Sequence, residues 1–520
     1  MKRTITVALF VFATLSAHSQ DLQTVTRIRQ EGFRNSKVMD IARGLTDGIG
    51  GRLTGSPNMK KANEWTRDKL TEFGLSNAHL EPYKFGRGWV SDSCVVRMIS
   101  PDAQQLYALP GAWSPSTNGV VRGKVVKVKL ESKEDLEKNK GKLAGAIVMA
   151  SEPREFKPLD KAALERYDEK MLDDLGEYEI PAARDDARRA EFTKRREFRK
   201  LLAQFAVDEK IATILTNPNG DGGVFRVQGT GTWRDDESSG VPTVGLAPEH
   251  YARIARLLDD KKEVELEIDS RSHYIDGDPT QWNTVAEIPG SDKKGEVVMM
   301  GGHLDSWHTG TGATDNAAGV AVMMEAARIL KSLGVTPKRT IRIALWSGEE
   351  QGLLGSKAYV EEHFAKRAEP KDPEQAKLPA FARTTDKGEL TVKPDQAKVS
   401  AYFNVDNGTG KIRGIYAQEN AAVAPLFASW LEPLKDLGAT TVTMRNTGST
   451  DHVSFDDAGI PGFQFIQDEI EYDARTHHTQ WDTYERLQRE DLMQAAVVAA
   501  TFIWETANRA EMLPRKPMPK

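Results

Sequence analysis

His303 and Asp305 in GGHLDSW, Asp315 in GATDN, Glu349-Glu350 in LWSGEE, Asp406 in YFNVDNG and His478 in THHTQWD form an ordered series of imidazoles and carboxylates in the second half of this chain. Their order suits a pair of metal ions. Nitrogen and carboxylate oxygen donors without thiolates suit zinc, and also manganese or cobalt. Two adjacent glutamates offer two roles at once, one side chain binding metal and the other moving protons. The chemistry indicated is hydrolysis assisted by metal.

Taken singly, each residue has a plainer reading. His303 could be a structural histidine, Asp315 a cap on the helix that follows it, Glu349-Glu350 a charged turn, and Asp406 before Asn407-Gly408 turn chemistry. The elements around them argue otherwise. EVVMMGGH reads as a strand and 316–333 as a helix with Val320, Met323, Met324, Ala327 and Leu330 on its apolar side. TIRIALW, SAYFNVD, KIRGIYA and PGFQFIQ read as strands. GLLGSKAYVEEHF, AAVAPLFASWLEPLKDLG and a last segment from about Glu490 to Met512 read as helices. This alternation predicts an α/β fold, a mostly parallel central sheet flanked by helices. Asp305, Glu349-Glu350 and Asp406 then follow strand ends, where open α/β sheets collect ligands.

At 520 residues the chain exceeds the size at which one core keeps growing, so two domains are expected. From about Gly119 the pattern shifts to short β-rich runs, VVRGKVVKVKL, AGAIVMA, ATILTN and VPTVGLA, around a highly charged stretch from Glu152 to Lys210. None carries a histidine or clustered carboxylate suited to chemistry. We therefore expect a smaller β-rich inserted domain over 118–275, and a catalytic domain built from 20–117 and 276–520. Upstream, Ser56 and Pro57 open a helix that Gly74 ends. The Pro- and charge-rich stretch 367–398 interrupts the α/β pattern as a surface insertion. Residues 1–19, with Lys2-Arg3, an apolar run from Ile5 to Leu15 and Ala17-His18-Ser19, read as a signal peptide, so the mature protein is expected to be exported, periplasmic or secreted. No later run approaches the ~20 apolar residues of a membrane span.

A formal charge of −5 gives no electrostatic case for nucleic acid or an anionic membrane. The basic run Lys194–Lys200 is flanked by acids and reads as a solvated helix face. Cys94 is the single cysteine, so no internal disulfide can form, and its strand-like surroundings suggest a buried, unreactive side chain.

The chain resembles the co-catalytic zinc aminopeptidase family that includes carboxypeptidase Q and secreted bacterial aminopeptidases. The resemblance rests on GIGGRLTGSP at Gly48–Pro57, His303-x-Asp305, Asp315 twelve positions after His303, Glu349-Glu350, Asp406, STDHVSFDDAGIP at Ser449–Pro461, and His478-Thr-x-x-Asp482. The 118–275 region resembles a protease-associated domain. The resemblance implies two zinc ions per chain, with manganese or cobalt able to substitute. Asp315 would bridge them, His303 and Asp406 completing one site and Glu350 and His478 the other. Glu349 would be the general base and Asp305 would orient His303. Asp395 competes with Asp406, and His477 with His478. Tyr472 is a candidate for stabilising an oxyanion, and His308 for a substrate contact or a surface histidine.

The expected activity is hydrolysis of short peptides by an exopeptidase, and a homodimer is compatible with it. Two rival classes share the fold: a single-metal, glutaminyl-cyclase-like transferase, and a receptor-like protein without catalysis. The complete set of donors and the intact glutamate pair disfavour both. Arg475 and Asp468 lie in the loop before His478, and the sequence assigns neither to recognition of a substrate terminus.

Overall fold

Strands Lys293–His303 and Arg339–Trp346 lie side by side and parallel in the computed structural model, which describes residues 21–157, 162–180, 186–376, 383 and 386–519. They belong to an eight-stranded sheet ordered Ser76–Lys84, Thr280–Ile288, Arg339–Trp346, Lys293–His303, Val399–Asn404, Gly462–Gln467, Ile412–Tyr416, Thr441–Thr443. The four central strands are parallel. Antiparallel neighbours join on both sides, and at the far edge Thr441–Thr443 is again parallel to Ile412–Tyr416. The expected α/β class with a parallel centre is what forms.

Both faces of this centre are covered, which is why its strands read as near-continuous apolar runs. Val298, Met300, Ile343, Leu345 and Phe403 face one cluster with helices Ala318–Ser332 and Arg489–Asn508. Met299, Ala344, Trp346 and Tyr402 face another with helix Leu354–His363 and Phe455. Two helix ends differ from expectation. Asp315 and Asn316 have non-helical backbone angles, and the helix starts at Ala318. The Asn316 amide explains this, donating to the Val405 carbonyl at 2.9 Å and accepting from the Gly319 amide at 3.0 Å. The last helix stops at Asn508, short of Met512, where the buried Arg339 guanidinium holds the Arg509 carbonyl at 2.7 Å.

A second eight-stranded sheet is ordered Gln104–Leu106, Gly88–Ser100, Glu265–Ile275, Val121–Lys127, Ile147–Met149, Thr213–Thr216, Thr243–Leu246, Ala108–Pro110. The expected boundary at 118 cuts this sheet, because three of its strands lie between Gly88 and Pro110. The strands Gly88–Ser100 and Glu265–Ile275 pair antiparallel end to end, from Gly88 with Ile275 to Ser100 with Glu265. The chain thus leaves and re-enters the first unit along one two-stranded neck. Lys194–Lys200 falls in helix Asp186–Asp208, largely exposed as expected.

Within the 367–398 stretch, Ala365–Arg367 pairs antiparallel with Leu390–Val392; part of the intervening chain lies outside the described residues. So does the whole 1–19 segment. Among the described residues no helix is long and apolar enough to cross a membrane.

Candidate metal centre

Parallel register brings the chemistry together. His303 pairs with Trp346, three residues before Glu349, and Gly301 pairs with Asn404, two before Asp406. Three strand ends thus meet at the carboxyl edge of the sheet. Asp315 arrives from the turn before helix Ala318–Ser332, and His478 from the loop after strand Gly462–Gln467.

His303 Nε2 lies 3.1 Å from Asp406 Oδ1 and 3.2 Å from Asp315 Oδ1. His478 Nε2 lies 3.1 Å from Asp315 Oδ2 and 3.0 Å from Glu350 Oε2. The two oxygens of Asp315 therefore face different imidazoles, each accompanied by one further carboxylate. His477 is more remote, its Nε2 4.0 Å from Asp315 Oδ2. Asp395 is exposed and pairs with Lys398 at 2.7 Å, away from this cluster.

The supporting contacts are specific. Asp305 is fully buried, and its carboxylate accepts from the Glu349 amide at 3.2 Å, the Glu350 amide at 3.3 Å and the Thr54 hydroxyl at 3.0 Å. His303 Nδ1 instead meets the Asp305 backbone carbonyl at 3.0 Å, with the nearer carboxylate oxygen at 3.6 Å. The Asp305 side chain anchors the glutamate turn, while its main chain supports His303. Asp482 accepts from the Thr314 amide at 2.6 Å, the Thr314 hydroxyl at 2.8 Å and the Asp315 amide at 3.1 Å, fixing the loop that presents Asp315.

Arg52, from the GIGGRLTGSP loop, is fully buried and donates to the carbonyls of Leu304 at 2.7 Å, Thr311 at 2.6 Å and Gly312 at 2.7 Å. Gly312 permits this approach. Its φ is +61°, and a Cβ there would stand 2.3 Å from Ser306 Cβ and 2.8 Å from Arg52 Nη2.

Carboxylates outnumber the bases that could neutralise them. Burial opposes charging of His303, but Asp406 and Glu349 outweigh it and hold the ring well above the ordinary histidine range. His478 is raised to about 10, Glu350 and Asp315 overcoming burial. Burial, opposed by His303 and reinforced by Asp406 and Glu350, holds the Glu349 carboxyl well above the usual carboxylate range. Asp451 is raised to about 7, chiefly by burial, and Asp482 likewise to about 7 by burial and Asp315. Glu350 Oε1 and both oxygens of Asp451 are buried without a hydrogen-bond partner among the described residues, and Asp315 Oδ2 is buried beside the His478 ring. Buried, unpartnered carboxylate oxygens next to two imidazoles fit divalent cations of the zinc type. The triads His303, Asp315, Asp406 and Asp315, His477, His478 each have donor atoms close enough to share one ion.

Some expectations need correction. His308 is not a plain surface histidine: its ring packs edge-on to Trp89 and its Nε2 lies 2.8 Å from the Pro110 carbonyl, with burial depressing its pKa to about 4. Asp468 is fully buried, tied to Arg166 at 2.9 Å and Arg413 at 3.1 Å, so it is already neutralised within the fold. Tyr472 does lie at the cluster: its ring stacks on His477 at 4.7 Å, and burial with Asp315 and Asp406 keeps its phenol protonated. Sequence reasoning missed three contributors. Arg52 and Asp451 sat inside the recognised segments GIGGRLTGSP and STDHVSFDDAGIP without assigned roles. Gln228, from the region expected to stay clear of the site, places its amide nitrogen 2.8 Å from His478 Nδ1. Nothing in VFRVQG marks a residue of a catalytic site.

Residues 283–503 match the family described as Peptidase family M28. Mouse carboxypeptidase Q (Mus musculus) is 27% identical over 91% of this chain and 86% of its own length. A solved Peptidase M28 precursor from Shewanella amazonensis SB2B superposes with a TM-score of 0.67 at 24% identity, covering 96% of this chain and 98% of that one. BSAP, a zinc aminopeptidase from Bacillus subtilis, superposes at a TM-score of 0.56 and 18% identity, covering 91% and 94% of the two chains.

Proposed function

From its membership of peptidase family M28, and hence a metallopeptidase, we propose that this chain is an exported exopeptidase that trims short peptides with two zinc ions. The observation that carries the reading is the Asp315 carboxylate, one oxygen facing His303 and the other facing His478. That is the arrangement a bridging ligand requires. His303, Asp315 and Asp406 would hold one ion, and Asp315, Glu350 and His478 the other. When bound, the pair would supply Lewis acidity, activating water and polarising a carbonyl.

The chain's own groups do the rest. Glu349, its amide held by Asp305, is the general base that accepts the water proton and returns it to the leaving amine. Tyr472, kept as a neutral phenol, would donate to the developing oxyanion. Gln228, from the region between the two halves of the peptidase unit, lies against His478, and a domain beside the site would favour short, unfolded chains over internal segments of folded proteins. Export is supported by Lys2-Arg3 and the apolar run Ile5–Leu15.

The test combines metal content and a peptide ladder. Protein stripped with chelator and titrated with zinc should recover activity as uptake approaches two equivalents. Mass spectrometry of the ladder should show stepwise loss from one end. Full activity at one equivalent, or cleavage inside long segments, would overturn the reading.

A further inference from the structure

The segment Val224–Gly229 of the second unit is stitched to the loop that carries His478. Arg226 pairs with Thr479 in an antiparallel bridge, and its guanidinium donates to the Asp473 carbonyl at 2.6 Å. Gln480 answers from the loop, donating to the Gly223 carbonyl at 2.5 Å and accepting from the Phe225 amide at 3.3 Å. On its other flank the Gln228 carbonyl accepts from the Ala112 amide at 3.1 Å. Extended backbone alternates its side chains between two faces. Phe225 and Val227 are buried in a small apolar cluster with Ala247, which turns Arg226 and Gln228 toward the loop. The loop calls for such support, because His478 sits at φ +62°, a left-handed conformation unusual for a residue with a side chain.

We infer that Gln228 is a positioning residue for His478, so that one metal position of the peptidase unit is completed by a side chain from the inserted unit. This rests on the two-metal reading. His478 turns Nε2 toward Asp315 and Glu350, and Nδ1 toward Gln228, its one hydrogen-bond partner among the described residues. A ring that gives its Nε2 lone pair to a cation carries its proton on Nδ1. The Gln228 amide then accepts that proton through its oxygen, which needs only a half-turn of the amide group. An amide holds the ring without adding negative charge to a cluster that already has an excess of carboxylates. The inserted unit is therefore more than a screen over the site: it sets the aim of one ligand.

Gln228 is exposed, so replacing it removes no core packing. Gln228→Leu and Gln228→Glu, made in the full chain, separate the possibilities when zinc is titrated against a competing chelator. Gln228→Leu should loosen one of the two zinc equivalents by about 10–100-fold and leave the other in place, with an unchanged circular dichroism spectrum. Gln228→Glu, which still accepts from Nδ1–H, should recover tight binding. A Gln228→Leu protein that holds both ions with wild-type affinity overturns the inference, as does a Gln228→Glu protein no tighter than Gln228→Leu. If the wild-type chain itself takes up fewer than two ions, the two-metal reading falls and this inference with it. Two ions in the wild type and an unmoved Gln228→Leu overturn the inference alone.

Discussion

Glu349 and Glu350 are neighbours in sequence with divergent surroundings. Glu350 Oε2 lies against His478 Nε2 at 3.0 Å. Glu349 has no such imidazole contact, and its charge is governed by burial and by His303 and Asp406. Glutamine at either position keeps the shape but loses the charge and the ability to accept a proton. Glu349→Gln should therefore lower kcat by about 10²-fold or more, as expected for loss of a general base, while zinc content stays at the wild-type level. Glu350→Gln should lose zinc first and activity as a consequence. Steady-state kinetics with metal analysis on the same preparations checks both, and full turnover by Glu349→Gln would reverse the two assignments.

Arg52 joins elements that no local interaction would hold together. Its guanidinium ties the loop before helix Pro57–Glu72 to the Leu304–Gly312 loop, between His303 and Asp315. Burial depresses its pKa to about 10, opposed by Asp482, Asp305 and Asp315, so it stays charged at neutral pH and balances the acidic cluster from behind. Arg52→Ala leaves several buried carbonyls unpaired and the nearby carboxylates less compensated. We expect a loss of about 3–5 kcal/mol, read from the urea midpoint of the zinc-loaded protein. Arg52→Lys should recover only a small part, because one ammonium cannot reach the same set of carbonyls. A lysine variant as stable as wild type would show that charge alone matters there.

Across the molecule, the metal-free protein should be a creature of low pH. In it, Asp451 and Asp482 are raised to about 7 and His478 to about 10. Each binds protons more tightly folded than unfolded, so the unfolded chain holds fewer protons through these windows. Stability then falls with rising pH: through roughly pH 4 to 7 for the carboxyls, and from about 6.5 to 10 for the histidine. Bound cations replace those protons. The gain in Tm on adding zinc to chelator-treated protein should therefore grow from pH 5 to pH 8. Thermal unfolding with and without zinc at both values measures this, and an equal or smaller gain at pH 8 would refute it.

How far the chain could be read in advance followed the range of the physics involved. Strand and helix alternation is written in local apolar periodicity, so the α/β class and the strand ends carrying His303, Glu349 and Asp406 were legible. Imidazoles and carboxylates have few uses in combination, so the set with Asp315 and His478 was legible too. Contacts between distant segments leave no such trace. That His303 leans on the Asp305 carbonyl while the carboxylate anchors the glutamate turn depends on where three loops converge. That the second sheet begins at Gly88 follows from pairing with a strand well over a hundred residues away. Gln228 reaches His478 because Phe225 and Val227 point into their own core and the intervening residues must face outward. A glutamine has no motif; its role comes from the neighbour that the fold sets beside it.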